Sequence, residues 1–534
     1  MSAARRNNQT SIGVIDIFAG PGGLGEGFSS FEDRKGSGIH PFELAVSVEK
    51  EKSAHATLRL RAFYRLLLRQ EGQVPKAYWD FLSKASYLKP ADVRHHFSTG
   101  TWSGLWNEAE NEALNLELKK NLSDNQPLFD RLDAVRARYD EMILIGGPPC
   151  QAYSVVGRAR QSKVADFALK GDPRHFLYKQ YLTILSRYQP AVFIMENVKG
   201  LLTSKVGSQE MFKSIQRDLA DPSAALRGGS SSAHKAMRYT LLPIHVPQGT
   251  DRTANLVLDN PSGFLIRSEC HGLPQARHRV IIMGVREDLM NGHVAKIPGL
   301  NETDPSSIDE ALSGLPRLRS GLSRRTDDPD EWFSAMERER KKVIAAVRNP
   351  FPEVASALIG MVPAADLPRN SKRYAQGRTS GLAASLRGEN PGIVFNHQTR
   401  GHMESDLGRY MFCAAFAHEY RRSPRSEEFP RVLEPDHENW ESGDFADRFR
   451  VQRRGIPSST VTSHLSKDGH AFIHWDPEQC RALTPREAAR LQTFPDDYVF
   501  MGSPTDQYVQ VGNAVPPALA SMIAKVVYEV FKGR

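Results

Sequence analysis

Short apolar runs that stop at glycine, proline or a carboxylate recur along residues 12–290. Residues 12–18 alternate between apolar positions and Asp16, then break at Ala19-Gly20-Pro21-Gly22-Gly23-Leu24-Gly25. Residues 43–48 form a second run, ending in Glu49. Met142-Ile143-Leu144-Ile145 is followed by Gly146-Gly147-Pro148-Pro149-Cys150-Gln151, and residues 190–195 run into Glu196-Asn197-Val198. Compact apolar runs between turn residues predict buried strands. Residues 238–246, 263–267 and 280–284 read as further strands. The intervening stretches carry helical spacing, at Leu58, Leu60, Phe63, Leu66 and Leu67, at Trp102, Leu105 and Trp106, and over 176–188. Strands and helices in alternation predict an α/β fold with a mostly parallel sheet.

The alternation stops near residue 295. Residues 300–475 are rich in Pro, Arg, Asp and Ser, with scattered aromatics and weak periodicity, and predict a separate, irregular domain. Order returns at Thr484-Pro485-Arg486-Glu487, which has threonine at the N-cap, proline at the first helical position and glutamate at the third. A last apolar helix is predicted over 519–531. The expected organisation is a first domain over 1–295 with a helical insertion at about 52–140, a second domain over 296–478, and a segment over 479–534 that returns to the first. A chain of 534 residues is too long for one core.

Composition narrows the class. Lys plus Arg number 70 against 62 Asp plus Glu, a net charge of +8, compatible with a polyanionic partner or with a generally solvated basic surface. The four cysteines, Cys150, Cys270, Cys413 and Cys480, form no C-x-x-C pair. That argues against zinc ribbons and thioredoxin motifs, and so few cysteines suggest a reducing compartment. With no apolar run of about 18 residues and no apolar core in the polar N-terminus, neither a membrane span nor a secretory signal is expected, and the protein reads as intracellular.

Candidate chemistry sits where the predicted strands end. Gly20, Gly22 and Gly25 match G-x-G-x-x-G, in which glycine lets the backbone turn sharply and a ligand approach, although a plain glycine-rich turn has the same pattern. Glu49, at the tip of the second strand, has the position of a carboxylate that accepts hydrogen bonds from two ribose hydroxyls. This spacing does not separate NAD from S-adenosylmethionine (SAM). Asp92, in the short segment Pro90-Ala91-Asp92-Val93 read as a third strand end, offers an adenine contact or a helix cap. Arg59, Arg61, Arg65 and Arg69 read as a solvated helix face, with phosphate contact as the other reading. Cys150 is either a small buried hydrophobe or a nucleophile held by stiff backbone. Glu196 is either a ligand-facing carboxylate or half of a structural ion pair. Arg277 and Arg279, at i and i+2 entering a strand, point to one face, as edge charges or converging on an anion or carbonyl oxygen. The polar loop 152–170, with Arg158, Arg160 and Lys163, has the composition of a mobile lid.

Five motifs in this order resemble those of the DNA (cytosine-5)-methyltransferases: Asp16-Ile17-Phe18-Ala19-Gly20-Pro21-Gly22-Gly23, Gly147-Pro148-Pro149-Cys150-Gln151, Glu196-Asn197-Val198, Gln275-Ala276-Arg277-His278-Arg279 and Gln510-Val511-Gly512-Asn513-Ala514-Val515-Pro516-Pro517. The resemblance covers about residues 12–290 and 450–530. The helical insertion and the variable region depart from it.

The resemblance implies a Rossmann-like SAM-dependent methyltransferase domain and a smaller target-recognition domain over the irregular region. It implies that Cys150 adds to carbon 6 of cytosine, that a protonated Glu196 meets ring nitrogen 3, and that Arg279, supported by Arg277, meets the ring carbonyl oxygen. SAM would be held by Phe18, Ala19, Gly20, Gly22, Gly23, Glu49, Asp92, Val93, Pro149, Asn513 and Val515, with no metal. The implied partner is double-stranded DNA, with a flipped-out target base and arginine–guanine contacts from 300–475. The implied setting is a prokaryotic cytoplasm, where a cognate restriction endonuclease or defence-system proteins are further candidate partners. Two other readings stand beside it: an NAD-dependent oxidoreductase, and a tRNA-methylating or inactive DNA-binding relative.

Overall fold

A computed structural model of the chain describes residues 11–84, 88–148, 175–206, 209–226, 237–245, 261–290, 297–362, 365–436, 440 and 448–532. Among these, eight strands form one sheet: β1 (Ile12–Ile17), β2 (Phe42–Glu49), β3 (Ala113–Asn115), β4 (Met142–Gly146), β5 (Val192–Val198), β6 (Tyr239–Pro243), β7 (Leu265–Arg267) and β8 (His278–Arg286). Their order is β3-β2-β1-β4-β5-β8-β6, with β7 paired to the first residues of β8 beside β6. Strands β1 to β5 run parallel, and β8 lies antiparallel between β5 and β6. This is the mostly parallel α/β sheet that the alternation predicts.

Helices cover both faces, which is why β1 and β4 are buried along their whole length. On one face Val14, Ile143, Ile145 and Ile194 pack with α1 (Gly23–Ser29) and the C-terminal helix Pro517–Lys532. On the other, Ile15, Ile17, Leu144 and Phe193 pack under helices Gln126–Arg138, His175–Tyr188 and Met211–Ala220. Residues 14 and 15 fall on opposite faces because side chains alternate along a strand. Gly27 of α1 meets the C-terminal helix so closely that a Cβ there would lie 2.3 Å from Ala520 Cβ. The segment Pro504–Lys532 is apolar enough to cross a bilayer by composition, but much of it is spent on this sheet face and the core beside it.

Two organisational expectations are corrected. The insertion does not extend to residue 140, because β3 belongs to the sheet and Leu128, Phe129 and Leu132 cover it. The inserted part is a helical unit ending at Glu112: α2 (Lys52–Glu71), α3 (Lys76–Leu82), α4 (Pro90–Thr99) and α5 (Ser103–Glu112), around Phe63, Tyr78, Trp79, Phe97 and Trp106. Residues 300–475 are also less irregular than expected. Helices Pro329–Val347, Pro352–Gly360 and Glu404–Tyr420 share a core that includes Trp332, Met336, Val343, Leu358, Leu407, Met411, Phe412 and Phe416.

Nor is the arginine face of α2 solvated. Arg59 and Arg61 are buried, and Arg59 pairs with Glu110. Arg61 pairs with Glu26 of α1 at 2.6 Å and with Asp497 at 3.0 Å, while Arg65 pairs with Glu112 and Glu26. Arg69 alone of the four is largely exposed, against Glu43. Burial by itself would raise the Glu26 carboxyl, but the charge and hydrogen bonds of Arg61 outweigh it and hold Glu26 below its usual range.

Candidate active site

The carboxyl ends of β1, β2, β4 and β5 meet at one edge of the sheet, where parallel α/β folds bind ligands. After β1 the chain makes a tight turn. Phe18, Gly20 and Gly22 all have φ in the left-handed region, at 58°, 59° and 96°. A Cβ at Gly20 would meet nothing within 4 Å, so this backbone faces open space. Gly22 and Gly23 are glycine for a different reason. A Cβ at Gly22 would lie 2.6 Å from Leu58, and one at Gly23 would lie 2.0 Å from the carbonyl oxygen of Val515.

Glu49 closes the turn from β2. The Gly20 amide donates to Glu49 Oε2 at 2.8 Å and the Glu51 amide to Oε1 at 2.7 Å. Burial pushes the Glu49 carboxyl above its usual range, and these amides partly offset it. Beneath the turn lies Asp16, fully buried, whose carboxyl burial raises to about 8 against the opposing Gly25 amide.

Asp92 and Val93 do not join this pocket. They lie in α4 of the insertion, Asp92 exposed in its first turn and Val93 in the helical core. The third strand is Ala113–Asn115. At its end the Asn115 side chain donates to the carbonyls of Glu49 and Lys50, at 2.9 and 3.0 Å, and the Leu116 amide donates to the Glu49 carbonyl. Asn115 and Leu116 thus occupy the strand-end position foreseen for Asp92. The alternation Ala113-Leu114-Asn115-Leu116-Glu117-Leu118 was the available signal.

A second cluster forms at the ends of β4 and β5. Pro149 and Cys150, with the loop 152–170, lie outside the described residues, which reach Pro148 on this side. Glu196 lies directly against that chain: a Cβ at Gly147 would fall 2.8 Å from Glu196 Oε2. Asn197 donates to the Pro148 carbonyl at 3.4 Å. Strand β8 brings Arg279 opposite Val198, and Arg279 Nε meets Glu196 Oε1 at 2.8 Å. Arg279 Nη1 donates to the His278 carbonyl at 2.8 Å, so the guanidinium is held on two sides.

Arg277 does not share that role, and the expectation that both arginines face one site is corrected. Residue 277 lies between the short pairing Gln275–Ala276 and the start of β8, so the period-2 rule does not apply across it. Its side chain is buried, and its Nη groups donate to the carbonyls of Val461 at 2.8 Å and Gly512 at 3.4 Å. Burial, with Arg279 nearby, pulls its pKa well below the usual guanidinium range. Gln275 does similar joining work, donating to the Leu491 carbonyl and the Gln492 side chain and accepting from the Val461 amide. These bonds seat the C-terminal segment against the sheet.

That segment reaches the glycine turn. The helix Pro504–Asn513 ends at Asn513, which is exposed, and Val515 follows against Gly23. Tyr498 donates to the Pro21 carbonyl and stacks beside Arg61. Thr484 caps the helix Pro485–Leu491 with the reciprocal Thr484–Glu487 box that the sequence predicts.

An open glycine turn gripped by a strand-end carboxylate and a carboxylate–arginine pair thus stand at the same edge of the α/β sheet. A family model described as C-5 cytosine-specific DNA methylase matches residues 106–222 and 264–529. The type II methyltransferase M.Bpa9945I of Bacillus paralicheniformis is 30% identical over 534 residues, covering 97% of this chain and 99% of its own. Type II methyltransferase M.AgeI of Thalassovita gelatinovora is 27% identical, over 72% of this chain and 82% of its own. DNA (cytosine-5-)-methyltransferase M.ApeKI of Aeropyrum pernix is 28% identical, over 73% of this chain and 82% of its own. The chain belongs to the C-5 cytosine-specific DNA methylase family.

Proposed function

We infer that the chain transfers a methyl group from SAM to carbon 5 of a cytosine flipped out of double-stranded DNA, through a covalent Cys150 adduct at carbon 6. The observation that carries this reading is the meeting of Glu196 with Gly147 on one side and Arg279 on the other, next to the chain that leads into Cys150. Family membership removes the nicotinamide-dependent alternative.

The glycine turn fits SAM. Gly20 leaves room for a ligand against the backbone, Glu49 presents a carboxylate beside it for the ribose, and Phe18 at the turn supplies a face for adenine. Ala19, Gly22, Gly23, Pro149, Asn513 and Val515 complete the binding set, with Asn115 and Leu116 in place of Asp92 and Val93. When bound, SAM supplies an electrophilic methyl group.

The remaining chemistry belongs to the chain. Carbon 5 of cytosine is a poor nucleophile, and addition of the Cys150 thiolate to carbon 6 makes it an enamine carbon. Negative charge then develops on the ring. A carboxyl at Glu196 relieves it by holding a proton at ring nitrogen 3, and Arg279 by donating to the ring carbonyl oxygen. After transfer a base, which water can supply, takes the carbon 5 proton; that C–H electron pair re-forms the 5,6 double bond and Cys150 leaves as the thiolate, restoring the ring. In this reading Arg277 takes no part at the ring; it ties the carbonyls of Val461 and Gly512 to the sheet two residues before Arg279.

The relatives named type II methyltransferases support a restriction-modification role, with a cognate endonuclease as partner. The test is labelled methyl incorporation into duplex DNA and tRNA. Wild type is expected to label duplex DNA, and Cys150→Ser to lose at least about a thousandfold in rate with SAM binding intact. Near wild-type labelling by Cys150→Ser overturns the covalent mechanism, and labelling of tRNA alone overturns the substrate.

A further inference from the structure

The outer edge of the sheet is open beside β2, three strands away from β5 and the Glu196–Arg279 pair. Strand β3 pairs only with residues 47–49 of β2. Over residues 42–46, β2 therefore has β1 on one side and, among the described residues, no strand on the other. The Ile12 amide donates to the Pro41 carbonyl, and successive residues of a parallel strand face opposite neighbours. Phe42 and Leu44 thus turn their amides and carbonyls outward, and among the described residues nothing hydrogen-bonds to them there. A row of unpaired strand groups is a template for another strand.

A groove of about 1040 Å³ borders this edge. It is lined by Phe42 and Leu44, by Tyr64 and Leu68 of α2, by Glu108 of α5 and by Arg131 of the helix Gln126–Arg138. Its size selects the occupant. Five residues of strand span about 16 Å, which gives the groove a mean cross-section of about 65 Å². An extended chain, one strand spacing wide and one sheet thick, fills about 50 Å². A helix about 10 Å or more across needs about 80 Å² or more.

The charges of the groove select further. Most are paired already, Arg65 with Glu112 and Glu43 with both Arg69 and Arg138. Glu108 is exposed and, among the described residues, has no ion pair. Arg131 Nη2 donates to the Asn111 carbonyl at 2.6 Å, while its Nε is buried with no hydrogen-bond partner among the described residues. A strand laid on this edge offers carbonyls to Arg131 and to the Phe42 and Leu44 amides, and amides to their carbonyls. A lysine or arginine on that strand meets Glu108.

We propose that this groove docks an extended, basic segment of a partner protein as an added strand beside β2. The probe is a capped, fluorescein-labelled heptapeptide of alternating valine and lysine, titrated against the full chain by anisotropy. It is expected to bind and to slow hydrogen exchange of residues 42–46. A fully N-methylated version, which cannot donate to the edge, is expected to bind at least about tenfold more weakly, and so is a version with glutamate for lysine. Glu108→Gln is expected to weaken the lysine peptide about threefold, with SAM affinity unchanged. Absence of binding up to millimolar peptide overturns the proposal. So does equal binding of the N-methylated peptide, unchanged exchange at 42–46, or a Glu108→Gln variant that binds as wild type does. Dimerisation of the chain that protects 42–46 without peptide also overturns it, since the occupant is then a second copy.

Discussion

Arg61→Ala tests how the inserted helices support the glycine turn after β1. Arg61 is 8% exposed, between Glu26 at 6% and Asp497 at 4%, with contacts of 2.6 and 3.0 Å. Its guanidinium also lies 4.0 Å from the Tyr64 ring. Truncation removes the nearest cation from two buried carboxylates, leaving Glu26 only Arg65 at 3.8 Å, a loss of about 3–5 kcal/mol for a broken buried ion pair. Glu26 belongs to α1, whose first turn carries Gly22 and Gly23, so weaker SAM binding is expected as well. The pH dependence follows from Glu26, whose folded carboxyl is held below its unfolded value of 4.5. Its stabilisation is present above pH 4.5 and is lost as pH falls through the lower folded value. The gap between wild type and Arg61→Ala is therefore largest near neutral pH and shrinks in acid. Urea unfolding at neutral and acid pH measures the gap, and calorimetry measures SAM affinity. Adding Glu26→Gln and Asp497→Asn to Arg61→Ala removes the stranded charges and is expected to recover part of the loss. A neutral-pH loss below about 1 kcal/mol would refute the reasoning, since it would put the cluster in the range of solvated surface pairs.

Glu49→Ala should weaken SAM binding by about tenfold or more, as expected for losing charge-assisted hydrogen bonds, while leaving DNA affinity nearly unchanged; equal SAM affinity by calorimetry rejects the role. Asp92→Ala, by contrast, should leave SAM affinity within about twofold, because an exposed surface side chain contributes within about 0.5 kcal/mol; a tenfold loss would return Asp92 to the pocket. Asp16, raised from 3.8 to about 8, makes the folded state bind the extra proton, so its contribution is full below pH 3.8 and is lost as pH rises to about 8. Asp16→Asn should flatten that part of the unfolding profile, and an unaltered slope would show that Asp16 ionises normally.

Much of the sheet and the site was legible in the chain. The buried runs that lead to Gly20, Glu49, Gly147 and Glu196 stand out because an apolar run cut by glycine or a carboxylate has few other structural meanings. The helix at Thr484 was legible because its cap is local, made within four consecutive residues. The strand Ala113–Asn115 was missed, being three residues long and flanked by helices. The core of residues 300–475 was missed because a long, mostly polar stretch separates the helix Pro352–Gly360 from Glu404–Tyr420, which completes it.

The sequence by itself determined the order of the strands along the chain, the residue types at their ends and the family to which they belong. Those are local properties, written in spacing and turn chemistry. Tertiary structure alone decided which charges are solvated and which arginine meets Glu196. Arg61 finds Asp497 across 436 residues, and Arg277 finds Val461 across 184 and Gly512 across 235. No periodicity reports such partners, because the energy of a buried charge depends on which distant groups the fold brings within hydrogen-bond reach.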